Sequence, residues 1–398
     1  MNERPPKIMP LLKKIPLLAL ASLFALCGCD QIASKLSPKV EPPAPAPQIE
    51  ILNIGVFVPL KGESAPSGES LLNGLAMAAE EINAAGGVLG RPLRLVVRDT
   101  KSDPERAAKA VRDLITEDKV VALVGGLSGS TAEAAAVADE FNVPMILPGS
   151  TMPGIPSNEP WIFRISYVDF LSGRVMAKFA QSLGATRAIV LYDSASEYSK
   201  ALAVAFGKGF KRVRGNRIVG EPFETGTVDF SNHLEAIRKG NPDVVYLPAD
   251  APLAAEIVKQ ARAAGLEMPF LGTATWDCEE FLRDAGDASR NCYLPGRFAP
   301  GGSSEPGKFF SSNHQGKHGR PAPAMAALGY DSLALLANAI RSSSGTDSGA
   351  LRESLSSTVN FPGLTGPISI EPALAVSRPI PVLKVENGQF AFLESLEP

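Results

Sequence analysis

Short apolar, β-branched runs alternate with amphipathic helical stretches along most of this chain, in two successive series. In the first, Ile51 to Pro59 reads as a strand. A helix follows from about Glu69 to Ala85, with Leu71, Leu72, Leu75, Ala76, Ala79 and Ile82 at helical spacing and Gly86-Gly87 as its stop. Pro92 to Arg98 reads as a strand, Pro104 to Asp118 as a second helix, Val120 to Phe141 as strand, turn and helix, and Pro144 to Leu147 as a further strand. After Trp161 to Ile165 the alternation starts again and runs to a strand over Met268 to Leu271, with helices over 171–183, 200–213, 230–239 and 252–264. Strands separated by single helices predict parallel sheets covered on both faces, so the fold class is α/β with two such layers. At 398 residues the chain is long enough for each layer to bury its own core. The tail departs from the pattern: an Ala/Leu helix from Ala324 to Ile340, a Ser/Gly loop, then short strands near 367–370, 380–385 and 390–392.

Within the first series, the stretch Val120 to Phe141 draws notice because Gly125 and Gly126 bend the chain at a strand's carboxyl end. Ser128, Gly129, Ser130 and Thr131 then place hydroxyls and free N–H groups at a helix start. Unpaired N–H groups and the positive end of the helix dipole favour a carboxylate or phosphate there, and open α/β sheets bind ligands beyond strand carboxyl ends. An ordinary helix N-cap is the alternative reading of the same residues.

The formal charge is −3, and residues 1–28 carry one acid against four cations, so the remainder carries −6. Lys and Arg are scattered among acids with no basic stripe, which argues against a nucleic-acid partner. The amino end is basic through residue 14, then apolar for 12 residues from Ile15 to Leu26, and ends in Leu26-Cys27-Gly28-Cys29. That run is shorter than the ~20 residues a spanning helix needs, so it reads as an export signal. Small or apolar residues leading into Cys29 resemble the lipobox of bacterial lipoproteins, which implies cleavage after residue 28 and acylation of Cys29. Residues 29–49 are polar and Pro-rich and read as a tether reaching at most roughly 60 Å at ~3.1 Å per residue. Asp30 after the cysteine resembles a retention signal for the inner membrane in cells with two membranes. Cys278 and Cys292 form an even pair in the exported body and point to a disulfide, with two buried free thiols as the alternative.

Catalytic constellations are missing from the sequence. His314 and His318 stand four apart in a Gly/Lys/Asn-rich segment without a third ligand, and a solvated surface fits them better than a metal site. There is no Gly-x-Ser-x-Gly elbow and no Walker loop, and Gly207-Lys208-Gly209 lacks the third glycine of a dinucleotide fingerprint. The expectation is a protein that is not an enzyme and uses neither metal nor cofactor.

Taken together, Gly74 to Gly90, Gly125 to Thr131, Pro148 to Thr151, Asp229-Phe230-Ser231, Lys259 to Leu266 and Leu328 to Asp331 resemble the type I periplasmic solute-binding proteins of the leucine/isoleucine/valine class, which serve ATP-driven importers. The resemblance covers about Ile51 to Glu394. It implies two Rossmann-like lobes joined by a three-crossover hinge and closing over a small ligand. The implied N-terminal lobe comprises residues 50–167 and 296–361, and the C-terminal lobe residues 168–295 and 362–398. The implied partners are an amino acid or analogue, a membrane permease and, through the lipid, the membrane, with the chain itself a monomer. A ligand-sensing lipoprotein that signals to an envelope partner is the alternative.

Site residues carry over singly. Ser128 and Thr151 sit where the family's hydroxyls hold a carboxylate and orient an ammonium group, Gly149 contributes a backbone group beside Ser150, and Tyr198 matches an aromatic that closes over the ligand. Ser67 and Asp250 fall where branched-chain binders place aromatics. The second-lobe carboxylate that pairs the ammonium group should lie in Gly272 to Trp276, where Thr275 is found but no acid. Asp250, which follows a strand's carboxyl end, and Asp277 are the substitutes, with a solvated loop aspartate and a helix cap as their plainer readings. Two polar residues at aromatic positions imply a ligand more polar than leucine or valine.

Overall fold

Six of the seven residues of β1 (Leu52–Val58) are buried, as expected of a central parallel strand covered on both faces. The computed structural model describes residues 50–62, 64–127, 131–150, 160–299, 304–370 and 378–398, and Ile49–Pro398 is one compact unit. After β1 come α1 (Ala65–Ala84), β2 (Leu93–Asp99), α2 (Pro104–Thr116), β3 (Ala122–Gly125), α3 (Thr131–Glu140), β4 (Met145–Leu147) and β5 (Ile162–Arg164). The second series is α4 (Asp169–Ser182), β6 (Arg187–Asp193), α5 (Glu197–Phe210), β7 (Arg217–Phe223), α6 (Ser231–Gly240), β8 (Val244–Tyr246), α7 (Ala251–Ala263), β9 (Phe270–Leu271), α8 (Glu279–Ala285) and β10 (Cys292–Pro295). The tail adds α9 (Glu305–His318), α10 (Ala324–Ser342), α11 (Ser348–Ser356), the hairpin β11 (Phe361–Gly363) and β12 (Gly366–Ile368), then β13 (Ile380–Glu386) and β14 (Gln389–Leu396).

The first sheet is wholly parallel in the order β2-β1-β3-β4-β5. In the second, the parallel strands run β10-β9-β8-β6-β7, and antiparallel β13 and β14 extend it beyond β10. Strand order therefore reverses between β1 and β3 in one sheet and between β6 and β8 in the other. Such switch points open a crevice at the carboxyl ends of the flanking strands.

Alternate side chains of each central strand feed two cores. Ile54 and Val56 face Leu71, Leu75, Leu328 and Leu335, while Phe57 faces Val111, Leu114 and Met145 on the other side. Likewise Ile189 and Leu191 point to one core of the second sheet and Ala188 and Val190 to the other. Ile368 of the hairpin packs in the first sheet's core, so the hairpin stays with that sheet and the chain leaves it only afterwards. Helix starts follow their caps: Asp103 accepts from the Arg106 N–H at 2.8 Å with Pro104 behind it, and Ser196 accepts from the Ser199 N–H at 3.2 Å.

Three sequence expectations need correction. The segment holding His314 and His318 is the helix α9, capped by Ser304, whose hydroxyl accepts from the Gly307 N–H at 3.1 Å. His318 is exposed, but His314 is fully buried against Phe310, with Nδ1 3.1 Å from the Arg320 carbonyl oxygen, so a solvated surface describes only one of the two. The Ser/Gly loop contains α11, started by Asp347 accepting from the Ala350 N–H at 2.9 Å and held by buried Leu351 and Leu355. Finally, Cys278 and Cys292 are both free thiols and form no disulfide. Cys292 is buried beside Arg262, whereas the Cys278 Sγ donates to the Thr275 carbonyl oxygen at 3.5 Å. Burial pushes both thiols up to about 12, which keeps each protonated in its own surroundings.

Candidate functional site

Beyond the carboxyl end of β3, Gly125 passes so close to β1 that a Cβ there would meet the Phe57 carbonyl oxygen at 2.1 Å, and Gly126 takes a left-handed φ of +79°. Only glycine makes that turn without strain. Leu127 follows, buried, and Ser128 lies outside the described residues, as do Thr151 and the Cys29 region. Gly149, after β4, sits so close to Leu127 and the thioether end of Met325, at the start of α10, that a Cβ there would make both side chains shift. Ser150 is buried, and its hydroxyl has no hydrogen-bond partner among the described residues. Ser67 stands exposed in the first turn of α1.

On the second sheet, the carboxyl ends of β6, β8 and β9 build the opposing wall. The Ser199 hydroxyl donates to the Pro248 carbonyl oxygen at 2.6 Å and accepts from the Asp193 N–H at 3.1 Å, which ties the first turn of α5 to two strand ends and fixes Tyr198. The Ala249 carbonyl oxygen accepts from Trp276 Nε1 at 2.9 Å and from Thr273 and Thr275 Oγ1 at 3.4 and 3.3 Å, and the two threonine hydroxyls lie 2.7 Å apart. Tyr198 reaches this pair. Its hydroxyl is buried beside Thr273 and makes no well-formed hydrogen bond, and burial raises its pKa, helped by the charge of Asp169. Asp250 is exposed at the N-cap position of α7, and its side chain makes no hydrogen bond or ion pair among the described residues.

Asp169 is a buried acid at this wall that sequence reasoning did not single out. It opens α4, directly after the crossover that leaves β5, and it is 8% exposed. Its Oδ1 lies 3.7 Å from Arg297 Nη2. Arg297 stands on the second crossover, after β10, and donates from Nη1 to the Ala274 carbonyl oxygen at 2.9 Å. Its N–H donates to Asp277 Oδ2 at 3.4 Å, and burial pushes the Asp277 carboxyl up to about 6. Tyr167, on the first crossover, is fully buried and donates to the Gly296 carbonyl oxygen at 3.2 Å. Arg378, just before β13 on the third crossover, donates to Thr365 Oγ1 at 2.6 Å, which in turn donates to Asp331 Oδ2 at 2.5 Å. Each crossover thus contributes a polar side chain to one buried cluster at the junction of the sheets. The hint in the sequence was the acid at the head of the first helix of the second series; Arg297 and Met325 gave none, each being an isolated residue of its type in its segment.

Two α/β layers of switch-point topology, with facing carboxyl-end walls and three crossovers, form the architecture in which a ligand is held between layers. The sequence pattern of the periplasmic binding proteins matches residues 51–389. The chain belongs to that family. This periplasmic binding protein is 31% identical over 235 residues to an amino acid binding protein of Pseudomonas aeruginosa, a stretch covering 58% of this chain and 63% of that relative. The match thus spans less than two thirds of that relative's length. Among solved structures, it is similar to a leucine binding protein of Thermotoga maritima, at 30% identity and a TM-score of 0.76 over 87% of this chain and 99% of that one. It is also similar to a branched-chain amino acid transporter substrate binding protein of Streptococcus pneumoniae in complex with isoleucine, at 30% identity and a TM-score of 0.78 over 88% of this chain and all of that one. The family is one of binding proteins rather than enzymes. Among the described residues no helix is long and apolar enough to cross a membrane.

Proposed function

We propose that this periplasmic binding protein is an extracytoplasmic receptor that captures a small polar ligand, an amino acid or a related amide or organic acid, and delivers it to the permease of an ATP-driven importer. The observation that carries the reading is the buried Asp169 carboxylate beside the Tyr198 hydroxyl, at the junction of two carboxyl-end walls. An ammonium group closed into a cleft needs a counter-charge, because an unpaired buried ion is costly. Asp169, whose charge is shared with Arg164 and Arg297, supplies that counter-charge in this reading. Ser128 and Thr151 then hold the ligand's carboxylate with Gly149 and Ser150, Tyr198 closes over it, and Ser67, Asp250 and Thr275 line a polar rim. In this reading residues 1–28 are removed, Cys29 carries the lipid, residues 29–49 tether a monomeric body to the inner membrane where the cell has two, and the lobes divide as 50–167 with 296–370 and 168–295 with 378–398, the hairpin staying with the first lobe because Ile368 and Ile370 pack in its core.

A thermal-shift screen of amino acids, amides and small organic acids, after partial unfolding to strip bound ligand, tests this. A ligand at a hundredfold excess over Kd adds about 2.7 kcal/mol, which raises the melting temperature by several degrees. No shift across the panel would count against the reading. Calorimetry decides the polar preference, which fails if leucine binds more tightly than every polar amino acid or amide. Loss of uptake of the identified ligand on deletion supports transport, and intact uptake would sink it.

A further inference from the structure

The outer edge of the second sheet has a chemistry the cleft does not use. From residue 198 to residue 220 there is no acid, and five cations, Lys208, Lys211, Arg212, Arg214 and Arg217, fall within ten residues. All five are exposed, and none forms an ion pair among the described residues. They occupy the end of α5, the turn after it and the amino end of β7, the end of the sheet opposite the cleft. Beside them a groove of about 510 Å³ runs between α5 and the β6–β7 edge, with Val190, Ala203, Val204 and Ile218 in its lining and Lys208 and Lys211 among its cations. Val204, in the groove lining, is 54% exposed and Val213, between Arg212 and Arg214, is 47% exposed, an apolar component set among the charges.

We infer that this basic, valine-studded groove is a membrane-contact surface that takes an anionic phospholipid, the headgroup among the five cations and apolar chain against the groove floor. Charge complementarity singles out the occupant: in a chain whose residues 29–398 carry −6, residues 198–220 hold six cations and no acid. Basic residues interleaved with exposed apolar ones suit an anionic lipid interface, where each cation strengthens partitioning roughly five-fold. The inference rests on the proposed lipid anchor only for proximity, since a tether of residues 29–49 keeps the body within about 60 Å of the bilayer.

The cores of the described protein lie wholly within Ile49–Pro398, so the body can be tested without its anchor. Residues 49–398 are sedimented with vesicles of phosphatidylcholine alone or with phosphatidylglycerol added. The expected result is pelleting with the anionic vesicles only, weakening as salt rises. Substitution K208E/K211E/R212E/R214E should reduce it at least about tenfold, and V204D, in the groove lining, should reduce it as well, with melting curves reporting that both variants fold. Should the fourfold variant fail to fold, K211E/R214E serves in its place with a smaller loss. No pelleting, equal pelleting with neutral vesicles, or binding untouched by charge reversal would overturn the proposal. So would full competition by inorganic phosphate at constant ionic strength, which would assign the cations to a free anion. Binding untouched by V204D would overturn the apolar half of it. The anchor at Cys29 can fail without affecting any of these outcomes.

Discussion

At the scale of single residues, the proposed site turns on two buried side chains, Asp169 and Ser150. Asp169 lies in a place where loss of its charge is felt by whatever it pairs: replacing one member of a buried ionic pair costs about 2 to 5 kcal/mol. Asp169→Asn should therefore weaken binding of an α-amino acid by at least about 30-fold, read by calorimetry. A ligand lacking the ammonium group should lose far less, and equal losses for both ligands would remove Asp169 from this role. Ser150 offers the opposite sign in the free protein. Its hydroxyl is buried without a partner among the described residues, and an unsatisfied buried hydroxyl costs about 1 to 3 kcal/mol. Ser150→Ala should raise the melting temperature of ligand-free protein and lower ligand affinity; a variant that lowers both would place the hydroxyl in a purely structural role. Part of the proposed site was legible in sequence. Gly149, Ser150, Tyr198 and Thr275 follow strand ends that periodicity locates, whereas Asp169 lies more than a hundred residues from Gly272 to Trp276 and reaches the same wall only because the crossover delivers it there.

Secondary-structure elements were legible where burial imposes a period. β1, α1, α2 and the second series through α7 follow from apolar spacing, with ends a few residues off. α9 and α11 escaped because their helicity is set by caps, Ser304 and Asp347, in segments rich in Gly, Ser and Lys that show little apolar periodicity. Sequence also gave no measure of how tightly elements approach. α1 and α10 meet backbone to backbone: a Cβ on Gly74 would stand 1.8 Å from the Ala326 carbonyl oxygen, and one on Gly329 2.3 Å from that of Leu71. Neither obstacle is a side chain that can rotate away, so the helices must separate. Gly74→Ala should cost about 3 kcal/mol or more by chemical denaturation. Gly316→Ala, in exposed α9 with nothing within 4 Å of the new carbon, should instead stabilise by about 0.5 to 1 kcal/mol. If both changes shift the midpoint alike, helix–helix contact is not what Gly74 secures.

For the whole molecule, the decisive feature is that the three crossovers converge on Tyr167, Arg297 and Arg378, so the hinge is an electrostatic object as well as a covalent one. Asp277 makes that testable by pH. Its carboxyl sits at about 6 in the folded protein, raised by burial, against about 4 for an unfolded chain. Between those values the folded protein retains a proton that the unfolded chain has released, so stability falls as pH rises from about 4 to about 6 and then levels, by up to about 3 kcal/mol from this group. Asp277→Asn removes the ionisation while keeping an oxygen for the Arg297 N–H. The variant should match the parent near pH 4 and exceed it in stability at pH 7.5, so the difference between the two denaturation midpoints should open across that interval. Parallel curves from pH 4 to 7.5 would mean that Asp277 ionises as freely folded as unfolded. Because Asp277 holds the Arg297 backbone and Arg297 faces Asp169, the same variant reports on the cleft: ligand affinity that varies with pH in the parent through this interval should vary less in Asp277→Asn.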